Sequence, residues 1–266
     1  MSRIEQTFAK LKEQNRSALV TFIMAGDPSL ENSAKVLTGL PDAGADIIEI
    51  GMPFTDPAAD GLTIQLAGQR ALAAGANMKH TLSMVTSFRQ GNNNTPIVLM
   101  GYANPIFSYG YDQFVKDAKA AGVDGLIVVD LPWPENKNFS KKCKKNSINF
   151  VQLVSPTTSS YRMKRIINDS HDMIYYISML STTGGKLKVS PKEILKNYNK
   201  IKKINKSKNL VIGFGITLKT ISSLKRADGL VVGSALCKEI SKSIKNKQNP
   251  VTKLGNMVKR LKTKLS

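Results

Sequence analysis

Cysteine, histidine, tryptophan and acidic residues are all scarce in this 266-residue chain, and no apolar run is long. Cys143 and Cys237 are the only cysteines and lack the spacing of a metal site, so both are expected to be reduced, and either structural or exposed. His80 and His171 stand far apart, and no metal centre is expected. No apolar run reaches the ~18–20 residues of a membrane-spanning helix. The opening Met-Ser-Arg-Ile-Glu-Gln-Thr-Phe has neither the apolar core nor the cleavage site of a signal peptide. A cytoplasmic protein without a membrane partner is the expectation.

Acidic residues number 19 against 39 basic ones, leaving a formal charge of +20. Such an excess invites a nucleic-acid reading, because lysine and arginine neutralise phosphates. The lysines fall instead in runs such as 141–145, 200–203 and 206–208 and along the C-terminal helix, without interleaved aromatics on which bases would stack. They read as solvated faces, and no nucleic-acid partner is expected.

What is abundant is alternation. The hydrophobic fraction is 41%, which is globular. Ile4, Phe8 and Leu11 mark one face of an opening helix. Short β-branched runs then recur at 18–24, 47–50, 95–100, 125–129, 149–154, 173–177, 210–213 and 229–232, with helical patterns between them. Intervening helices are expected around 111–121, 134–146, 160–168 and 217–225. Eight strand-and-helix pairs point to a parallel sheet closed as a (β/α)8 TIM barrel with an extra N-terminal helix. An open doubly wound sheet is the runner-up. No linker interrupts residues 1–266, read as a single domain.

The densest chemistry lies at residues 46–65. Glu49 sits inside an apolar strand, where an ionised carboxylate is costly to bury. A turn-rich loop with Asp56 and Asp60 follows, then an Ala-rich helix from about Thr63. Two acids in different environments can hold different pKa values, as a proton donor and acceptor require. Equally, the three acids read as a structural Glu and two loop-capping Asp residues. Further along, Gly213-Phe214-Gly215 and Gly233-Ser234 follow strands seven and eight, where barrels bind phosphate on backbone N–H groups. Thr183-Gly184-Gly185 adds glycines in loop six. No strand carries the lysine that a Schiff-base aldolase needs.

The run Glu49-Ile-Gly-Met-Pro-Phe-Thr-Asp-Pro-Ala-Ala-Asp-Gly-Leu-Thr-Ile-Gln65, continued by 71–75, resembles the signature of the tryptophan synthase alpha chain family. The resemblance implies Glu49 and Asp60 as catalytic acids. It implies cleavage of indole-3-glycerol phosphate to indole and glyceraldehyde 3-phosphate by acid–base retro-aldol chemistry. It matches Phe22, Tyr102, Tyr175, Thr183 and Phe214 to residues around the substrate, and Gly184, Gly215, Gly233 and Ser234 to the phosphate donors. Asp56, Asn104 and Pro132 match positions at the contact with a beta chain. The family form is an alpha2-beta2 tetramer whose pyridoxal phosphate belongs to the beta chain, with no cofactor in this one.

Two segments depart from the family pattern. Met179 and Ser181 stand where an Arg and a Gly are common, and residues 220–233 are slightly short. A stand-alone indole-releasing lyase, or a non-catalytic basic barrel binding RNA or protein, are the alternative readings.

Overall fold

The computed structural model describes residues 1–178, 189–213 and 215–265. Thr183, Gly184 and Phe214, together with the altered Met179 and Ser181, lie outside the described residues.

Nine strand segments pair in parallel in the order β5-β4-β3-β2-β1-β9-β8-β7-β6. They are β1 (Ala18–Met24), β2 (Ile47–Gly51), β3 (Ile97–Gly101), β4 (Gly125–Val128), β5 (Asn149–Phe150), β6 (Gln152–Val154), β7 (Met173–Ile177), β8 (Asn209–Gly213) and β9 (Gly229–Val232). The expected fifth strand is divided. Residues 149–150 pair with β4 and residues 152–154 with β7, with Val151 between them. The Val151 N–H still donates to the Leu126 carbonyl, so the chain changes neighbours without leaving the wall. With β9 on β1, the ring closes at eight strand positions. The barrel is therefore the observed architecture, and the open sheet is not.

The helices are α1 (Arg3–Glu13), α2 (Leu30–Ala43), α3 (Leu62–Ala73), α4 (Met78–Gly91), α5 (Ala103–Tyr109), α6 (Tyr111–Ala121), α7 (Lys137–Lys145), α8 (Ser160–Asp169), α9 (Pro191–Lys202), α10 (Ser234–Lys245) and α11 (Pro250–Thr263). Three boundaries differ from expectation. The helix expected at 134–146 starts only at Lys137, after a cis Trp133-Pro134 bond in the preceding loop. The expected helix at 217–225 is one 3-10 turn, Ile221–Leu224. The short α5 is an additional helix between β3 and α6.

Successive strand residues point alternately into the lumen and out to the helices. Inside, Val20, Ile47, Val98, Ile127, Val151 and Val211 form one cluster. Ile4, Phe8 and Leu11 of α1 join that cluster and stopper the N-terminal end of the barrel. A capping box between Ser2 and Glu5 fixes where this helix begins. The outer faces of the strands pack against the surrounding helices in a larger apolar layer. The lumen thus opens only toward the C-terminal ends of the strands, the end at which the acid loop begins.

Candidate active site

Glu49 is the middle residue of β2 and is fully buried. Phe22 on β1 and Val98 on β3 are its register partners, so the carboxyl lies between apolar neighbours inside the lumen. Neither Oε1 nor Oε2 has a hydrogen-bond partner among the described residues. Burial alone pushes its pKa up to about 8, so the group is a neutral acid at neutral pH. The Phe22 ring reaches along the lumen toward the mouth. A Cβ built on Gly51 would fall 2.7 Å from Phe22 Cζ, which is why a glycine closes β2.

Tyr175 on β7 is also buried, and burial followed by the charge of Glu49 raises its pKa well above the usual phenol value. Its ring occupies the space a side chain at Gly213 would need, since a Cβ there would lie 2.0 Å from the Tyr175 hydroxyl. Gly213 therefore makes room for an aromatic. The sequence suggested a phosphate role for the glycine-rich turn it begins.

Asp60 belongs to the loop between β2 and α3 and is half-buried. Burial raises its pKa to about 6, and a hydrogen bond from the Tyr102 hydroxyl opposes the rise. The same hydroxyl accepts the Ala59 N–H at 3.0 Å. Tyr102 thus holds two successive residues of the acid loop from the end of β3. Its own ring lies 5.4 Å from that of Phe54. The Gln65 side chain donates to the Asp60 carbonyl at 2.8 Å and ties the loop to the first turn of α3.

Asp130, after β4, accepts the Ala103 N–H at 2.8 Å. It supplies the N-terminal cap that Tyr102 does not, and this is what lets α5 start there. Asp56, Asn104 and Pro132 are all exposed, Asp56 and Pro132 on the loops after β2 and β4 and Asn104 in the first turn of α5.

At β9 the chain turns at Gly233 into α10, whose first residue is Ser234. No side chain caps this helix start, leaving its N–H groups available to an anion. A Cβ on Gly233 would approach Phe22 Cβ to 3.4 Å, so this turn borders the register partner of Glu49. Gly215 is exposed with φ 72°, a conformation that glycine adopts without strain. Among the described residues no group of acidic, histidine or cysteine side chains is arranged to hold a metal ion. Cys143 and Cys237 are both buried, so the exposed option for them is ruled out. No helix among them is long and apolar enough to cross a membrane.

Fold and site together define an α/β barrel with one carboxyl buried in its lumen and a second, of raised pKa, on the loop that follows β2. The sequence profile of the tryptophan synthase alpha chain matches residues 8–266. The tryptophan synthase alpha chain of Pelagibacter ubique (strain HTCC1062) is 59% identical over the full length of both chains. The crystal structure of tryptophan synthase subunit alpha from Legionella pneumophila str. Paris superposes with a TM-score of 0.92 at 37% identity, covering 100% of this chain and 98% of that one. A tryptophan synthase chain from M. tuberculosis, in its open form with BRD0059 bound, superposes with a TM-score of 0.86 at 27% identity over 99% and 98% of the two chains. The chain belongs to the tryptophan synthase alpha chain family, a catalytic family of tryptophan biosynthesis.

Proposed function

We propose that the chain is a carbon–carbon lyase that cleaves indole-3-glycerol phosphate to indole and glyceraldehyde 3-phosphate, in a single barrel domain spanning residues 1–266. The observation that carries this reading is Glu49, a carboxyl buried in an apolar lumen, without a hydrogen-bond partner among the described residues, and neutral at physiological pH.

Glu49 delivers its proton to the indole ring carbon that bears the glycerol chain. The ring becomes cationic, and its N–H turns toward the ionised Asp60, which stabilises it. A base removes the proton of the adjacent hydroxyl, whose electron pair forms the aldehyde carbonyl. The carbon–carbon bond breaks, and its electron pair returns to the ring, giving neutral indole and the aldehyde phosphate. Glu49, ionised by the first transfer, is available as that base. Phe22, Tyr102 and Tyr175 enclose the planar ring, with Thr183 and Phe214 as further wall residues. Gly215, Gly233, Ser234 and Gly184 hold the phosphate through backbone N–H groups.

Indole is small and apolar and would escape a cell, so direct transfer to a second enzyme is the chemical reason for a partner. That partner is a beta chain carrying pyridoxal phosphate, in an alpha2-beta2 assembly in the cytoplasm. Asp56, Asn104 and Pro132, all exposed on the segments that follow β2, β3 and β4, form the contact. The decisive measurement is indole release from indole-3-glycerol phosphate by the purified chain, with and without a beta chain. Release that rises on adding the beta chain is expected. Release unaffected by it favours a stand-alone lyase, and no release in either case overturns the assignment.

A further inference from the structure

Outside the residues that face the lumen, one buried ion pair is placed where the reaction can feel it. Asp27, in the loop after β1, is fully buried. Arg70, in the last turn of α3, grips it with two parallel hydrogen bonds, Nε to Oδ1 at 2.7 Å and an Nη to Oδ2 at 2.8 Å. A carboxylate this deep is costly unless its partner is held in place, and a planar guanidinium meets both oxygens at once.

The helix that carries Arg70 has few large anchors. Its fully buried residues are Ala67, Gly68 and Ala71, whose side chains are minimal. Ile64, half-buried, packs against the apolar cluster of Ala67 and Ala71, while Leu62 and Leu66 face outward. Small residues let α3 lie close to β1, where Gly68 sits opposite Met24, but they offer little shape to prevent sliding. The loop bearing Asp27 is itself well anchored. The Gly26 N–H donates to Ser33 Oγ at 2.9 Å, and Gly26 packs so tightly on Ala76 that a Cβ would fall 2.4 Å from it.

The same helix begins immediately after Asp60. Gln65 holds the Asp60 carbonyl, and Gly61 is the N-terminal cap residue of α3. From Gln65 to Arg70 is about 7–8 Å along the axis, less than two turns of rigid helix. The buried thiol of Cys237 on α10 packs in one cluster with Met24, Ala67 and Ala71, and the charges of Asp27, Arg70 and Asp60 all bear on it.

Building on the lyase reading above, we infer that the Asp27–Arg70 pair is a positioning device for Asp60: it fixes α3 on the barrel wall, and with it the loop that presents the carboxylate to the substrate ring nitrogen. Neither residue touches substrate. Tyr102 holds the acid loop from the β3 side, and the ion pair holds it from the α3 side.

The test compares wild type with Arg70→Gln, Arg70→Lys, Asp27→Asn and the double variant Asp27→Asn/Arg70→Gln, reading thermal midpoint, kcat, KM and the pH profile of indole release. Arg70→Gln is expected to lower kcat about tenfold or more, because small misplacements of a catalytic group are costly. KM should change less than kcat, since neither residue belongs to the turns that take the phosphate. The acid limb of the pH profile should move, and amide hydrogen exchange of residues 56–61 should accelerate. Arg70→Lys should recover part of kcat, and the double variant should be no worse than the worse single one. A folded Arg70→Gln protein with wild-type kcat and an unmoved acid limb overturns the inference. So does a loss that only follows the unfolded fraction, which Arg70→Lys and the exchange data would expose. Wild-type protein that releases no indole sinks the lyase reading itself and the inference with it, whereas active wild type with an indifferent Arg70→Gln variant sinks the inference alone.

Discussion

Phe22 and Glu49 are register partners on the adjacent parallel strands β1 and β2 and enter the lumen side by side. The ring runs toward Gly51, with Cζ 2.7 Å from where a Cβ there would stand. Burial is the sole cause of the carboxyl pKa of about 8 at Glu49, and Phe22 is its apolar neighbour on β1. Phe22→Ala should admit water and lower that pKa. The alkaline limb of the kcat/KM profile should then move down from about 8 by a measurable fraction of a unit. An alkaline limb that stays in place would show that Phe22 does not keep Glu49 dry.

The wild-type profile should be bell-shaped. Activity falls above pH about 8 as Glu49 loses the proton it must donate. It falls below pH about 6 as Asp60 gains the proton that cancels its charge. Asp60→Asn should remove the acid limb and leave the alkaline one. Initial rates across pH 5 to 9 decide this (on the order of four pH units, to bracket both limbs).

Glu49→Gln should lower kcat by roughly 10²–10⁴-fold, the usual contribution of a general acid–base group. The same change should stabilise the fold. The folded-state pKa of Glu49 is raised above the unfolded value, so its contribution to stability is most favourable below pH about 4.5 and is lost as pH rises toward about 8. Glutamine is free of that cost. The gain should be of the order of a few kcal/mol near neutral pH and vanish toward pH 4.5, where both states hold a proton. Denaturant unfolding at two pH values measures it; equal stability at both would mean that the carboxyl is hydrated.

Tyr102→Phe removes the hydroxyl that donates to Asp60 and accepts from Ala59. Because that hydrogen bond holds the Asp60 pKa down against burial, the acid limb should shift upward from about 6. The ring remains beside Phe54, so folding should be little affected. An acid limb that moves downward would contradict the arrangement.

Gly233→Val should weaken phosphate binding. A Cβ at this turn meets Phe22 Cβ at 3.4 Å, so the branched side chain must crowd the aromatic or the anion. KM should rise about tenfold or more, with folding retained, as expected when backbone approach to a phosphate is blocked. Equal affinity for phosphorylated and dephosphorylated substrate would remove the phosphate from this turn.

Asp56 is exposed, four residues before Asp60 on the same loop. Asp56→Ala should leave the activity of the isolated chain roughly unchanged and remove most of the activation by a beta chain, because partner contact at this loop orders the acid. Steady-state rates with and without the beta chain check it. An equal loss in both would place Asp56 in the site itself.

Much of this architecture is legible in the chain alone. Eight short β-branched runs separated by helical patterns specify the barrel, because the periods of strand and helix are local properties. A glutamate within an apolar strand, followed by Asp60 in a loop that opens a helix, singles out two candidate acids for the same reason. What sequence could not settle depends on residues brought together from distant positions. Val151 divides the fifth strand because its two neighbours, β4 and β7, take different halves of it. The α5 turn forms because Asp130, from the next strand end, caps it. Gly213 makes room for Tyr175, and Arg70 reaches across 43 positions to Asp27. The raised pKa values of Glu49 and Asp60 also belong here. A carboxyl in an unfolded chain titrates in water, and only the closed lumen takes that water away.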